Sequence, residues 1–152
     1  MIKIGKLLIE AAGKLALGWH ATDVDPYSDN PLFEHIHTLA SIVRDRAIMQ
    51  GLDYHIATTT AYLRYTLSLA EDREEYVGRY QVMMDMFLVT IMDALDALTM
   101  DTKESFDEYI TRVRANPIAT LIKQVELELE LKEDKVSDVN RELFEEALKT
   151  LS

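Results

Sequence analysis

An all-α fold, a single helical bundle of about six or seven helices, is what this 152-residue sequence predicts. Three observations predict it. Apolar residues recur at helical spacing along nearly the whole chain. Only five Gly and three Pro interrupt it. There is no cysteine, so disulfides and thiolate metal sites play no part in the fold. With 48% hydrophobic and 28% charged residues, the chain has an ordinary globular composition and is long enough to bury a core.

Each element follows from its own pattern. Ile4, Leu7, Leu8, Ala11 and Leu15 make one apolar stripe. The stretch Met1 to Leu17 superficially resembles a signal peptide, but Lys6 and Lys14 break the apolar run, so a folded helix is expected. A loop from Gly18 to Asn30 follows, and Pro31 suits the first turn of the next helix. There Leu32, Ile36, Leu39, Ala40, Val43 and Ala47 share a face, and Gly51 ends it. A third helix is expected from an Asp53 cap to Ala70. A long fourth runs from Arg73 to Thr99, with Val77, Tyr80, Met84, Phe87, Ile91, Ala94 and Leu98 inward. Met83, Met84, Met86 and Met92 on it read as core gap-fillers or as an adaptable surface.

A short helix from Lys103 to Arg114 follows a Thr102 cap, with Phe106, Tyr109, Ile110 and Val113 inward. Asn116-Pro117 restarts the chain. Val125 to Leu131 alternates apolar and Glu residues as a strand would, but Pro117 at the first turn, good helix formers and the stripe Ile118, Leu121, Ile122, Val125, Leu129 favour a helix. Leu127 and Leu131 fall off that stripe. They read either as buried against the last helix or as a homo-oligomer interface. The last helix runs from a Ser137 cap to Leu151, with Val139, Leu143, Phe144, Ala147 and Leu148 inward. No repeat or linker divides residues 1–152.

Net charge is −11, from 27 acidic against 16 basic residues. Such a surface repels nucleic acid, and a small anion needs a locally basic pocket. The acidity serves solubility, or else meets a basic partner or mimics nucleic acid. No segment reaches the roughly 20 apolar residues of a membrane span, and a reducing, cytoplasmic location is expected.

Three stretches carry a resemblance: Leu15-Ala16-Leu17 to His20-Ala21; Asn30-Pro31-Leu32-Phe33-Glu34-His35 with Leu39 to Val43; and Asp96-Ala97-Leu98-Thr99 through Tyr109 to Val113, Asn116 to Ala119 and Ile122-Lys123. Together they resemble the HD-domain hydrolases that remove the 3′-pyrophosphate of (p)ppGpp, the bacterial alarmone. The third stretch is the most specific because it runs without a gap. The resemblance implies an HD-like domain and a divalent cation, usually manganese, that lowers the pKa of a bound water. Its ligands in the family are one His, a His-Asp pair and a distant Asp.

On this chain those positions read His35, Arg64-Tyr65 and Glu126. An arginine is always charged and cannot ligate a cation. The acidic pair that assists the water falls on Ser68 and Leu69, with Glu71-Asp72 three positions on. The substrate-positioning His-Asn falls on Leu129-Glu130, and a basic residue on Met100. The guanine-stacking basic pair falls near Val24 to Pro26, where there is none. The resemblance therefore implies a catalytically inactive pseudo-hydrolase without a metal cofactor, acting by binding a nucleotide or a protein partner. Arg64 would either pair with Glu126 or clamp a phosphate. The alternative is an active Mn-dependent pyrophosphohydrolase with a rearranged site, built from His35, Asp93 or Asp96, and Glu126. A structural or oligomerising subunit is a third reading. His35 and His37, two apart, point about 200° apart on a helix and cannot share an ion. His20 and His55 read as capped or surface residues.

Overall fold

The computed structural model describes residues 4–152 and is helical throughout, with eight helices among the described residues. They are α1 (Ile4–Trp19), α2 (Leu32–Gln50), α3 (Tyr54–Leu63), α4 (Arg73–Met86), α5 (Val89–Leu98), α6 (Phe106–Arg114), α7 (Pro117–Glu130) and α8 (Asp138–Leu151). Among these residues the sole β pairing is an isolated bridge between Val24 and Pro31. None of these helices is long and apolar enough to cross a membrane. Met1 to Lys3 lie outside the described residues, so the helix expected over the start of the chain is seen from Ile4 onward.

The bundle is organised around α3, which packs on α1, α2, α5 and α7. Its sequence explains that position. Ala57, Thr58, Thr59, Thr60 and Ala61 are all buried, and such small side chains let neighbouring helices approach from several sides. Buried hydroxyls need partners: Thr58 donates to Tyr54 O and Thr60 to Ile56 O, each one turn back. Asp53 caps α3 by accepting from the amides of His55 and Ile56, as expected. The stripe expected on α2 is fully buried, and Gly51, at φ 73°, closes that helix in the left-handed conformation glycine tolerates.

Other boundaries differ, for identifiable reasons. The third helix stops at Leu63 instead of Ala70. Residues 64–69 continue as tight turns, with Thr66 N donating to Leu63 O, and this winding turns both Arg64 and Tyr65 toward the centre of the bundle. The long fourth helix breaks at Phe87 and Leu88, both extended. Apolar residues between Met83 and Met92 would cover every side of one straight helix. The break resets the phase, so that Met83 and Phe87 are buried from one helix and Ile91, Met92, Ala94 and Leu95 from the next. Val77, Met84 and Met86 face solvent, so of the expected core methionines only Met83 and Met92 are inside.

α6 begins at Phe106, three residues late, because Ser105 and Glu108 form a reciprocal capping box. α1 buries Ala12 and Ala16 and leaves Ile4 and Leu7 exposed, so its inward face is rotated from the expected stripe. On α8, Val139 and Leu143 point outward; Ala147 and Leu151 are buried, with Phe144 and Leu148 against the core.

Val125 to Leu131 is helical, and Asn116 caps α7 by accepting from Ala119 N. Leu127 is completely buried in the main core, while Leu131 is half-buried. Leu127 is thus used inside the chain. Burying a leucine this way stabilises by about 1.5–3 kcal/mol.

The stretch from Asp96 to Thr120 is tied together by side chains that hold backbone. Arg112 donates to Asp96 O and Thr99 O, each at 2.8 Å, and grips Glu104 with two further bonds. Thr99 donates to Leu95 O and Thr120 to Val113 O. Arg112 thereby satisfies carbonyls left over at the end of α5 and fixes the entry to α6. Glu104 is held down to about 2 by its bonds to Arg112 and to the Asp101 amide.

Candidate functional site

Lys123, Glu126 and Glu130 stand at i, i+3 and i+7 on α7, a spacing that aligns them on one helix face. Opposite them come Arg64 and Tyr65 from the turn after α3, His35 from α2, Tyr109 from α6 and Asp25 from the α1–α2 loop. His35, Arg64, Tyr65, Ser68 and Glu126, widely separated in sequence, meet here.

At the centre is a buried ion cluster. Glu126 Oε2 accepts from Arg64 Nε at 2.8 Å. Its Oε1 accepts from Lys123 Nζ at 2.9 Å and from Arg64 Nη2 at 3.3 Å. Arg64 Nη1 donates to Ser68 Oγ at 2.9 Å, and Nη2 also reaches the Tyr109 hydroxyl at 3.3 Å. That hydroxyl donates to Leu98 O at 2.6 Å. The guanidinium lies 5.0 Å from the Tyr65 ring centre and the Lys123 ammonium 5.3 Å from that of Tyr109. Arg64, Lys123 and Glu126 are 6%, 6% and 3% exposed, so all three charges are withdrawn from water.

Withdrawal of that kind costs several kcal/mol per ion, and mutual attraction with satisfied hydrogen bonds must offset it. Burial disfavours ionised Glu126, yet Arg64 and Lys123 outweigh it and hold its carboxyl down to about 2. Burial likewise works against charge on Arg64 and Lys123, and Glu126 reverses the balance for both, so each holds its proton more tightly than usual. Glu130 shows the opposite outcome: burial, then the neighbouring Glu126 charge, pushes it up to about 8. The cluster thus holds two cations against one firmly ionised carboxylate, with a second carboxyl that resists ionisation.

His35 sits beside this cluster. Its Nε2 shares a hydrogen bond of 3.0 Å with the Tyr65 hydroxyl, and its Nδ1 lies 4.0 Å from Asp25. Asp25 is buried and accepts from Ser28 Oγ at 2.7 Å. A cleft of about 220 Å³ opens at this edge, lined by Asp25, His35, Leu129 and Lys132 among others.

These residues do not fit a divalent cation. Both oxygens of Glu126 are taken by cations, and His35 Nε2 faces a tyrosine. No set of three His, Asp or Glu side chains among the described residues converges on one point. The alternative set of His35, Asp93 or Asp96, and Glu126 does not assemble either. Asp96 accepts instead from Tyr80 OH at 3.2 Å, and burial raises its carboxyl above its ordinary range.

Other expected positions lie apart. Leu69 and Met100 are exposed, and Met100 borders a surface groove with Asp96 and Thr99. His20 is fully buried rather than at the surface, its Nδ1 2.8 Å from Asp23. His37 faces Tyr62 OH at 2.9 Å, away from His35. Lys123 and Tyr109 were not singled out as site residues. A signal for Lys123 existed: a lone cation on the apolar stripe Ile118, Leu121, Ile122, Val125, three residues before a Glu. Tyr109 carried none beyond its place on an inward face.

Compared with known proteins, the chain matches no protein-family model and no curated protein.

Proposed function

We propose that this chain is a degenerate relative of the HD-type alarmone hydrolases that acts by binding and not by metal-dependent hydrolysis. One observation carries the reading. The positions that the resemblance assigns to the metal come together in space, and Arg64 with Lys123 now supplies the positive charge there. A guanidinium locked onto Glu126 does what a cation does for a carboxylate's charge, without offering an open coordination position to a water. The same lock leaves Arg64 no free fork for a phosphate, since Glu126, Ser68 and Tyr109 take its donors. Ion pairing is therefore its role, and phosphate clamping is not.

The test is turnover. Purified protein incubated with (p)ppGpp and added manganese should release no pyrophosphate, and elemental analysis of the native protein should find no stoichiometric Mn, Fe or Zn. Metal-dependent release that disappears in His35→Ala would overturn the reading in favour of an active, rearranged hydrolase.

A further inference from the structure

A second cavity lies between α1, α2 and α3, on the side of α2 that carries His37. It measures about 430 Å³, within the roughly 300–1,000 Å³ typical of small-molecule sites. Its walls include Tyr54, His55 and Tyr62, and its charged lining is Lys6 and Arg44 against a single carboxylate, Glu10.

That lining is the reverse of the molecule's average, which is −11 overall. Among the described residues neither Lys6 nor Arg44 enters an ion pair, and both side chains are exposed and free to meet a ligand. The hydroxyls along the groove are turned away from it: Ser41 donates to His37 O and Thr58 to Tyr54 O. The groups left to meet a ligand include an ammonium and a guanidinium, which suit an anion and outnumber the single carboxylate of Glu10. The aromatic wall is held in place. The Tyr54 and His55 rings lie 4.0 Å apart, and Tyr62 OH is fixed by His37 Nδ1. The backbone of α1 presses on the same wall, since a Cβ added at Gly5 would stand 2.5 Å from the His55 ring. Only glycine permits that approach.

We propose that this groove binds a free mononucleotide, with the base against the aromatic wall and the phosphate at Lys6 and Arg44. An inorganic anion alone has no use for three aromatic side chains, and an uncharged ring makes no use of the two cations. A nucleic acid strand, which must also cross the surrounding acidic surface, is disfavoured by the chain's net charge. The groove shares no residue with the Arg64 cluster. Manganese-dependent turnover would sink the proposed function and leave this site standing, and an empty groove would do the converse.

The test is titration calorimetry of the full chain at low salt with AMP, GMP, inorganic phosphate and adenosine. At least one mononucleotide should bind about tenfold or more tightly than phosphate or adenosine, a difference of about 1.4 kcal/mol or more. Arg44→Ala and Lys6→Ala should each weaken that binding about tenfold while leaving the thermal melt unchanged. No heat with either nucleotide at millimolar concentration would overturn the proposal. So would equal affinity for phosphate alone, or nucleotide binding that Arg44→Ala does not alter.

Discussion

Two regions of this molecule handle buried polarity in contrasting ways. From Asp96 to Thr120, side chains serve the backbone: Arg112, Thr99 and Thr120 each bond carbonyls at helix ends. Around Arg64, side chains serve one another, and Glu126 is neutralised by Lys123 one turn back on α7 and by Arg64, which it meets only because the fold brings it there. On the proposed reading, the first region is the stretch that carries the resemblance to the alarmone hydrolases, and the second is where it breaks. The contrast has a physical basis. A residue that satisfies a helix end is constrained by the fold itself, whatever the chemistry nearby. A residue that ligates a metal is constrained only while the metal is needed. On the proposed reading the metal is no longer needed, the buried carboxylate still requires a counter-charge, and Arg64 supplies it.

The variant most able to break this contrast is Glu126→Gln. It leaves two buried cations with a neutral amide, and the expected destabilisation is about 3–5 kcal/mol in denaturant melts. Removing Arg64 as well recovers only part, because Lys123 stays behind. The triple replacement Arg64→Leu, Lys123→Met, Glu126→Leu should restore most of the loss or exceed it. A triple variant no more stable than Glu126→Gln would show that packing, not charge, holds the centre.

Arg112→Ala probes the other region. It frees two carbonyls and Glu104, but the arginine is more than one-third exposed and water replaces part of what is lost. The expected cost is about 1–2 kcal/mol, with the pH dependence of stability changed only in the acid range, where Arg112 no longer holds Glu104 down.

The larger pH dependence belongs to the centre. Glu130 binds its proton more tightly in the folded state, faced by Glu126, Lys123, Arg64 and Asp25. Its protonation favours folding, so stability should fall as pH rises from about 4.5 to about 8. Glu126 acts in the other direction: its stabilisation is present above its ordinary pKa and is lost as pH falls toward about 2. Melting temperature should therefore peak on the acidic side of neutrality, and Glu130→Gln should flatten the decline on the alkaline side. An unchanged slope in that variant would assign the decline elsewhere.

Tyr109→Phe has the smallest expected effect and the most diagnostic one. Its hydroxyl belongs to both regions, donating to Leu98 O and accepting from Arg64. A loss of about 1 kcal/mol is expected. A double-mutant cycle with Glu126→Gln should be non-additive, because Tyr109 and Glu126 both bond Arg64.

What the sequence made legible follows the same division. The stripe on α2 and the caps Asp53 and Ser137 were readable because each depends on local spacing and backbone donors. The pairing of Arg64 with Glu126 was readable because a guanidinium near the core needs an acid. Lys123 escaped as a site residue because its role depends on a partner from another helix as well as on Glu126. The faces of α1 and α4 came out rotated because both carry apolar residues on more than one side, and only tertiary packing chooses among them. The break at Phe87 and Leu88 has no Gly or Pro to announce it.

That break also divides the molecule in time. α4's principal helix neighbour is α5, and beyond it α4 is held by Met83, buried in the core, by Arg79, which donates to Thr66 O and lies over Trp19, and by Tyr80 on Asp96. The rest of α4 is largely exposed, so this helix should open before the centre of the bundle. Its amides should exchange with solvent hydrogen early, and a protease should cut near Leu88 before anywhere in α3. The Ala and Thr amides of α3, packed on four neighbours, should exchange only when the whole chain unfolds.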